Sequence, residues 1–335
     1  MVRPADHPSV APPKIGVLLI NLGTPSSPEP GAVKPYLREF LSDPRVIEIP
    51  QLLWQPILRG IILNTRPKKS AHAYKQVWTD EGSPLAAITA RQARALAGAF
   101  GENVIVDHAM RYGKPAIGER LDRLKSEGCE RILIAPLYPQ YCAATTATAN
   151  DAAFAHLRRL RWQPALRTLP PYHDDPLYID ALKRRTEAAL ATLDFEPEAV
   201  LASFHGMPQR TLELGDPYYC HCHKTTRLLA DAMGRALLLT FQSRFGRAKW
   251  LEPATDKMLE SLPGKGVRKV AIVAPGFSAD CLETLEELAI SGRDTFMAAG
   301  GTHFAYLPCL NDSAPGIEML RSMIGRELEG WTARP

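Results

Sequence analysis

Apolar segments of strand length alternate with segments of helical length along most of this chain. They lie at residues 15–21, 104–110, 131–136, 167–170, 199–202, 236–241, 269–275 and 303–307. Alternating strands and helices favour parallel pairing, with helices on both faces of a sheet. The alternation restarts near Glu196 without any repeat of sequence. We therefore predict the α/β class, with two Rossmann-like lobes that each contain a doubly wound parallel sheet.

The restart of the pattern also predicts how the chain divides. Residues 1–13 are polar and rich in proline, and we expect a disordered tail there. Residues 14–195 would form an N-terminal lobe and residues 196–335 a C-terminal lobe. The last helix, predicted over residues 313–329, could also pack on the first lobe. A chain of 335 residues is long enough for two such domains.

Composition narrows the class of function. The net charge is +4 and no run of five basic residues occurs, so nothing favours nucleic-acid binding. No apolar run approaches the roughly 18 residues that a membrane-spanning helix needs. The cysteines are mostly isolated, which fits a reduced compartment better than a disulfide framework. We expect a cytoplasmic protein, with a peripheral membrane contact left open.

A histidine lies where the strand that begins at Ala199 is expected to end. Residues 203–208 read Ser-Phe-His-Gly-Met-Pro, so Gly206 and Pro208 turn the chain away directly after His205. Ligands of open α/β sheets bind at the carboxyl ends of strands. His205 is therefore a candidate metal ligand, or a general base that works near neutral pH.

Three acidic residues follow the strand at residues 269–275. Asp280, Glu283 and Glu287 are spaced i, i+3 and i+7, so a helix that starts at Ala279 would place them on one stripe. The same spacing fits a capping box of Asp280 and Glu283, with Glu287 exposed to solvent. Because His205 lies in the same half of the chain, we favour a functional stripe. Imidazole and carboxylates together suit a first-row divalent metal such as Fe(II).

Two further segments each allow two interpretations. Residues 51–63 are apolar but contain Pro56 and Arg59, so they form either core or an exposed apolar lip that contacts a greasy ligand or a membrane surface. A separate helix is predicted over residues 70–78. Residues 220–223 read Cys-His-Cys-His, which suggests a structural metal site. The spacing lacks the usual Cys-x-x-Cys and no second pair follows, so we predict a polar loop that leads to a helix at Lys224.

Eight motifs resemble those of the ferrochelatase family and occur in the family's order. They lie at residues 21–25, 40–47, 111–113, 138–141, 203–208, 215–218, 241–246 and 275–287. The first reads Asn-Leu-Gly-Thr-Pro, and the last contains Asp-Cys-Leu-Glu-Thr-Leu-Glu-Glu, which is similar to the bacterial, protohaem-forming branch. The resemblance runs from about Lys14 to the C-terminal helix. The ordered set is far more specific than any single motif.

The resemblance implies a lyase of the class II chelatase type that inserts Fe(II) into protoporphyrin IX, the last step of haem synthesis. His205 matches the active-site histidine, which binds the metal or accepts pyrrole protons. Glu283 matches the glutamate paired with it across the porphyrin. Asp280 and Glu287 match an acidic path for the metal.

The resemblance also implies how the porphyrin is held. Pocket-lining positions correspond to Arg111, Tyr112, Trp250 and Phe277. The apolar stretch at residues 52–63, which we call the lip, corresponds to the segment over the pocket mouth. Its contacting residues would be Leu53, Trp54, Ile57, Leu58 and Ile61. The lip could also contact a membrane or the preceding enzyme of the pathway.

No firmly bound cofactor is expected, since Fe(II) is a substrate. Some ferrochelatases hold a [2Fe–2S] cluster on four cysteines. The candidate ligands here are Cys142, Cys220 and Cys222, but no cysteine follows Cys309, so no cluster is predicted. Alternatives are a chelatase for coproporphyrin III, cobalt insertion into a corrin precursor, and a non-catalytic porphyrin or haem carrier. The apolar lip argues against a tetracarboxylate substrate.

Overall fold

The fold consists of two parallel sheets, each covered by helices. The structure, a computed structural model, describes residues 13–244, 246 and 248–332, so the predicted tail lies outside the described residues except for Pro13. The first sheet contains β1 (Lys14–Thr24), β2 (Val104–Gly113), β3 (Cys129–Pro136) and β4 (Ala165–Thr168). The second contains β5 (Ala199–His205), β6 (Leu237–Gln242), β7 (Lys269–Val273) and β8 (His303–Leu307).

The two sheets have the same topology. Their strand orders are β2-β1-β3-β4 and β6-β5-β7-β8, and every neighbouring pair is parallel. In each sheet the first strand along the chain lies between the second and the third, as in flavodoxin-like doubly wound folds. The predicted fold class is confirmed.

Helices cover both faces of the sheets. They are α1 (Pro30–Leu41), α2 (Gln51–Ile57), α3 (Leu63–Val77), α4 (Pro84–Leu96), α5 (Ile117–Ser126), α6 (Thr148–Leu157), α7 (Pro176–Leu190), α8 (Gln209–Glu213), α9 (Tyr218–Met233), α10 (Thr255–Ser261), α11 (Arg293–Ala298) and α12 (Ala314–Leu328). Segments of π-helix occur at Leu58–Ile62, Ala143–Ala147 and Glu283–Gly292. Within the described residues, no helix combines the length and apolar character that a membrane crossing would require.

The apolar runs from which we predicted the fold are strands that are apolar on both faces, because helices pack against each side of the sheet. Residues Val17, Leu18, Leu19 and Ile20 of β1 are all fully buried. Val17 and Leu19 join one apolar cluster, whereas Leu18 and Ile20 join another on the opposite face. Such continuous apolar runs are typical of parallel strands covered on both sides.

The terminal helix α12 packs on the first sheet although it follows the second sheet in the chain. Met323 and Ile324 share an apolar cluster with Val17, Leu19 and Leu133. Its first turn is capped by Ser313, whose side chain accepts from Gly316 N at 3.4 Å. This packing ties the end of the chain to the N-terminal lobe.

The apolar segment that contains Pro56 is not broken there. α2, the π-helical segment Leu58–Ile62 and α3 follow one another without a gap from residue 51 to 77. The prediction of a separate helix over residues 70–78 was therefore wrong in its start. A proline removes one N–H and crowds the preceding turn, but tertiary packing can hold a helix through it. Here Trp54 and Leu58 supply that packing in a cluster with Leu41.

The Cys-His-Cys-His segment is helical, so the predicted loop at residues 220–223 was wrong. α9 begins at Tyr218, whose N–H donates to Asp216 Oδ1 at 3.0 Å. Cys222 is fully buried in the core of the second lobe, and Cys220 is exposed. The polar composition concealed the helix because only one residue of the four faces the core fully.

Candidate functional site

The candidate site lies at the carboxyl edge of the second sheet, where the strand order reverses. β5 pairs with β6 on one side and with β7 on the other. Open α/β sheets bind ligands at this point of their topology. His205 is the last residue of β5, and the acidic segment, which contains Asp280, Glu283 and Glu287, follows β7. The structure therefore brings both to one edge of one sheet.

The turn after His205 depends on a glycine. Gly206 N donates to Gln242 O at 2.7 Å, so the chain passes close to β6. A Cβ atom at position 206 would lie 2.5 Å from Gln242 O and 3.3 Å from the ring of Trp250. Any larger residue would push the turn away from β6 and shift His205 with it. The same contact places the predicted pocket residue Trp250 beside the turn.

The tautomer of His205 follows from its neighbour. Nδ1 lies 2.7 Å from the carbonyl oxygen of Gly206, which can only accept a hydrogen bond. The proton of the neutral imidazole is therefore on Nδ1, and Nε2 carries the lone pair. Nε2 is the atom that can bind a metal ion or take up a proton. Tyr218 Oη donates to the backbone oxygen of His205 at 3.0 Å and holds the end of the strand.

Glu283 and Glu287 lie on the π-helix Glu283–Gly292. In a π-helix the hydrogen bonds run from i to i+5, so residues four and five apart lie near one another. Burial raises the pKa of Glu287, while hydrogen bonds from Ser243 and the charge of His205 lower it and the charge of Glu283 raises it. Burial outweighs the causes that lower the pKa, so the pKa of Glu287 lies above its usual value.

Ser243 holds the Glu287 carboxylate in place. Its N–H donates to Oε1 at 2.6 Å, and its hydroxyl donates to Oε2. The backbone of Ser243 has φ 62°, a left-handed conformation that is uncommon outside glycine. Strained backbone of this kind tends to occur at functional sites. Sequence reasoning missed Ser243; its only signal was its place in the motif at residues 241–246.

Gln242, which sequence reasoning also missed, joins the strand that carries His205 to the π-helix. Its Oε1 accepts from Ser203 Oγ at 2.8 Å, and its Nε2 donates to Glu283 O at 2.7 Å. Gln242 and Ser203 are both buried. Buried hydrogen bonds of this kind fix relative position, because an unpaired partner would be costly. The amide of Gln242 thus sets the distance between β5 and Glu283.

Asp280 is not on a helical stripe with Glu283 and Glu287, and that prediction was wrong. The π-helix begins only at Glu283, with Leu282 as its cap, and no capping box of Asp280 and Glu283 forms. Residues 274–281 leave β7 as an irregular segment instead. The Asp280 carboxylate is 6% exposed and accepts hydrogen bonds from Tyr306 and Asn311.

A cavity of about 1140 Å³ lies on the first lobe. Its lining includes aromatic and cationic side chains, namely Tyr36, Trp78, Arg38, Arg45, Arg59 and Arg111. His205, Glu283 and Glu287 are not among the described lining residues. Tyr36, which lines the cavity, belongs to an apolar cluster against which Leu282, the residue before Glu283, packs. The pKa of Tyr36 is raised by burial first, and also by nearby groups that include Glu283.

Of the four predicted pocket positions, Arg111 lines the cavity; among the described lining residues, Tyr112, Trp250 and Phe277 do not occur. Arg111 Nε donates to Thr148 Oγ1 at 2.7 Å, and Nη2 donates to Asp43. Tyr112 is fully buried and donates to Asp43 Oδ2 at 2.9 Å. Phe277 is half-buried after β7 and packs between two apolar clusters.

The carboxylate of Asp43 anchors this wall of the cavity. Burial by itself would raise its pKa. Hydrogen bonds from Thr148, the Arg45 backbone and Tyr112, with the charge of Arg111, outweigh burial and lower the pKa. Asp43 is therefore ionised and holds Arg111 at the cavity wall.

The five predicted lip residues lie on two different faces of α2 and the π-helical segment Leu58–Ile62. Leu53, Ile57 and Ile61 are 65%, 43% and 58% exposed. Trp54 and Leu58 are 6% and 0% exposed and belong to the core. Trp54 Nε1 also donates to a backbone oxygen at 2.7 Å. One face of this segment is thus core and the other is exposed, and the contact of the exposed face with a ligand or a membrane stays a prediction.

The three cysteines considered for an iron–sulfur cluster differ in environment. Cys142 and Cys222 are buried, and burial raises the pKa of both thiols. Cys220 is exposed, since residues two apart on a helix point to different sides. In the part of the chain that the structure describes, no three or more His, Cys, Asp or Glu side chains are grouped so that they could hold a metal ion.

Comparison with known proteins identifies the family. The sequence model of the ferrochelatase family matches residues 14–328. The chain is 53% identical to the ferrochelatase of Agrobacterium fabrum over an alignment of 335 residues. The alignment covers 98% of this chain and 97% of that protein. It is 55% identical over 333 residues to the ferrochelatase of Rhizobium meliloti, with coverages of 97% and 98%.

Solved structures support the fold. SirB from Bacillus subtilis, solved with Fe3+, has a TM-score of 0.57 at 12% identity and covers 95% of this chain and 98% of its own. CbiX, the terminal enzyme for biosynthesis of siroheme in denitrifying bacteria, has a TM-score of 0.52 at 16% identity, with coverages of 94% and 100%. These likenesses concern the fold alone, which is an architecture of two parallel sheets covered by helices. The sequence matches go further, and by them the chain belongs to the ferrochelatase family.

Proposed function

We propose that this chain inserts Fe(II) into protoporphyrin IX, with His205 on one side of the macrocycle and Glu283 on the other. The family supports the reaction. The observation that supports the residue assignment is the hydrogen bond of 2.7 Å from Gln242 Nε2 to Glu283 O, because Gln242 is the β6 residue paired with His205. Protohaem formation would make this the terminal step of haem synthesis.

The chemistry requires a proton acceptor and a route for a dehydrated cation. Two pyrrole protons must leave the macrocycle as the metal enters. Nε2 of His205 carries a lone pair that can accept such a proton or bind the metal, because Nδ1–H is directed to Gly206 O. The carboxylates of Glu283 and Glu287, four residues apart on the π-helix, would bind the cation and hand it on. We assign Glu287, oriented by Ser243, to that route.

The cavity suits a flat, apolar molecule with acidic edges. A volume of about 1140 Å³ is at the upper end of small-molecule sites. Tyr36 and Trp78 provide aromatic surface, and Arg38 and Arg59 provide positive charge. Protoporphyrin IX carries two carboxylates, whereas coproporphyrin III carries four. The apolar lip beside this cavity favours the dicarboxylate.

We also propose that the lip contacts a membrane surface from the cytoplasmic side. Leu52 and Leu53 are 91% and 65% exposed, and Ile57 and Ile61 are 43% and 58% exposed. Exposed apolar side chains that share one face mark interaction surfaces. A hydrophobic porphyrin partitions into membranes, so a lip in the bilayer interface would take up substrate there.

Replacement of His205 by alanine should abolish insertion. We expect the rate of Fe(II) insertion into protoporphyrin IX, measured anaerobically by absorbance, to fall about 100-fold or more. In the same assay, the wild-type protein should insert Fe(II) faster into protoporphyrin IX than into coproporphyrin III. His72→Ala, at an exposed position on α3, is the control and should retain activity. Activity that survives His205→Ala would remove the role assigned to this residue.

The pH dependence of metal use should report on Glu287. Burial raises its pKa, so the carboxylate becomes protonated and loses metal affinity at a higher pH than an ordinary glutamate. We expect kcat/KM for Zn(II), used in place of Fe(II), to decrease as the pH falls through this pKa. Ser243→Ala removes the hydroxyl that donates to the charged Glu287 carboxylate. The loss of kcat/KM at low pH, which we call the acid limb, should therefore move to higher pH. Glu287→Gln should remove the limb, and an acid limb unchanged in both variants would contradict the assignment.

Vesicle flotation tests the lip. Leu53→Glu places a charge on the exposed face and should weaken binding to phosphatidylglycerol–phosphatidylcholine vesicles about 10-fold. Leu214→Glu is the matched control, because Leu214 is 63% exposed on the other lobe and Leu53 is 65% exposed. Equal loss in both variants, or wild-type protein that does not float, would contradict the membrane contact and favour a protein partner.

A further inference from the structure

The Asp280 carboxylate lies in the irregular segment that follows β7 and accepts four hydrogen bonds. Oδ1 accepts from Tyr306 Oη, from Thr284 Oγ1 at 3.1 Å and from Cys309 N at 3.4 Å. Oδ2 accepts from Asn311 Nδ2 at 2.6 Å. Three of the four donors therefore share Oδ1, and one contacts Oδ2. Asp280 is 6% exposed.

Burial and these four donors leave Asp280 poorly suited to carry a metal ion. A cation at Oδ1 would have to displace a buried donor, and that donor would then lose its partner at a substantial cost. Glu287 differs in this respect. Its carboxylate is held by the N–H and the hydroxyl of a single residue, Ser243.

The partners of Asp280 connect the two lobes. Asn311 has φ 51°, and its Oδ1 accepts from Asp280 N at 2.8 Å, so the Asn311 amide bonds both the backbone and the carboxylate of Asp280. The backbone oxygen of Asn311 accepts from Gln92 Nε2 at 2.9 Å, and the same amide donates to Ser278 O at 3.2 Å. Gln92 belongs to α4 of the first lobe.

The same carboxylate fixes the start of the π-helix. Thr284 Oγ1 donates to Asp280 Oδ1, and it accepts from Cys281 N at 2.9 Å. Glu283 lies between Cys281 and Thr284, so its backbone is held on both sides. Thr284 is fully buried, which leaves this turn little room to adjust. The direction of the Glu283 side chain therefore depends on Asp280.

We propose that Asp280 is a positioning residue, which holds Glu283 through the Asp280–Asn311 pair and so couples its geometry to the contact between the lobes. The proposal rests on the function assigned to Glu283 above. It replaces a role for Asp280 in the metal path. The requirement is then for complementary hydrogen-bonding groups at positions 280 and 311 rather than for a negative charge at position 280.

An exchange of the two side chains separates these roles. In Asp280→Asn, the Nδ2 of residue 280 faces the Nδ2 of Asn311, so two donors meet. In Asn311→Asp, two carboxylates face each other. In the double variant Asp280→Asn/Asn311→Asp, the new amide at position 280 donates to the new carboxylate at position 311. The net charge is unchanged, and the acceptor Oδ1 is retained at both positions.

Kinetics of Fe(II) insertion give the main readout. Each single variant should lower kcat about 10- to 100-fold with KM for Fe(II) within about twofold, because Glu283 is displaced. The double variant should recover kcat to within about threefold of wild type. A double variant as impaired as Asp280→Asn, with a raised KM for Fe(II), would overturn the proposal, because a charge would then be required at position 280.

Amide hydrogen exchange gives a readout that does not depend on activity. Peptides that cover residues 281–292 should exchange faster in both single variants and at the wild-type rate in the double variant. Should a single variant fail to fold, Tyr306→Phe removes one donor to Oδ1 and should lower kcat several-fold without changing KM for Fe(II). Single variants with wild-type kcat and exchange would contradict the positioning role. Wild-type protein that inserts no Fe(II) would contradict the proposed function instead, and the exchange experiment would still test the positioning.

Discussion

Buried polar side chains join the carboxyl edge of the first sheet to that of the second. Asn21, near the end of β1, donates to Ser278 Oγ at 3.4 Å, and Gln92 donates to both Ser278 O and Asn311 O. Asn21, Ser278 and Gln92 are at most 8% exposed, so each needs its partner. Apolar packing alone would allow the lobes to slide, whereas directional hydrogen bonds permit one arrangement. The geometry of the site depends on that arrangement.

The site itself combines residues held from two directions. His205 is held by β5 and by the tight turn at Gly206, and Glu283 is held by the segment after β7. The side chain of Gln242 spans the two and contacts both Ser203 and Glu283 O. Positions maintained by buried bonds require little reorganisation when a substrate arrives, which is how protein scaffolds support catalysis.

Much of the fold could be predicted because parallel strands covered on both faces are continuous apolar runs. β1 and β7 stand out for this reason, and His205 could be assigned to a strand end. The π-helix at Glu283–Gly292 could not be predicted, since its acidic residues also fit α-helical spacing. The start of α9 was concealed by the polar Cys-His-Cys-His composition. The division of the lip could have been found, because Trp54 and Leu58 are spaced i, i+4 whereas Leu53, Ile57 and Ile61 form the adjacent row.

Residues such as Gln242, Ser243 and Asn311 could not be assigned roles from the sequence because their functions exist only as contacts. Ser243 and Asn311 adopt positive φ without being glycine, so no residue type marked these turns. Asp280 was assigned with Glu283 and Glu287 by spacing, yet its carboxylate belongs to a different set of partners. Spacing identifies neighbours along a helix, and it fails where the helix begins later than expected.

The central claim is that Glu283 acts in metal insertion and not merely in binding the porphyrin. Glu283→Gln tests it directly when protoporphyrin IX affinity and anaerobic Fe(II) insertion are measured on the same protein. Glu286→Gln is the control, since Glu286 accepts from Ser291 at 3.1 Å on the same π-helix. We predict unchanged porphyrin affinity with insertion reduced about 100-fold or more in Glu283→Gln alone. Unchanged insertion in a variant that still binds porphyrin would contradict the account and indicate a porphyrin carrier.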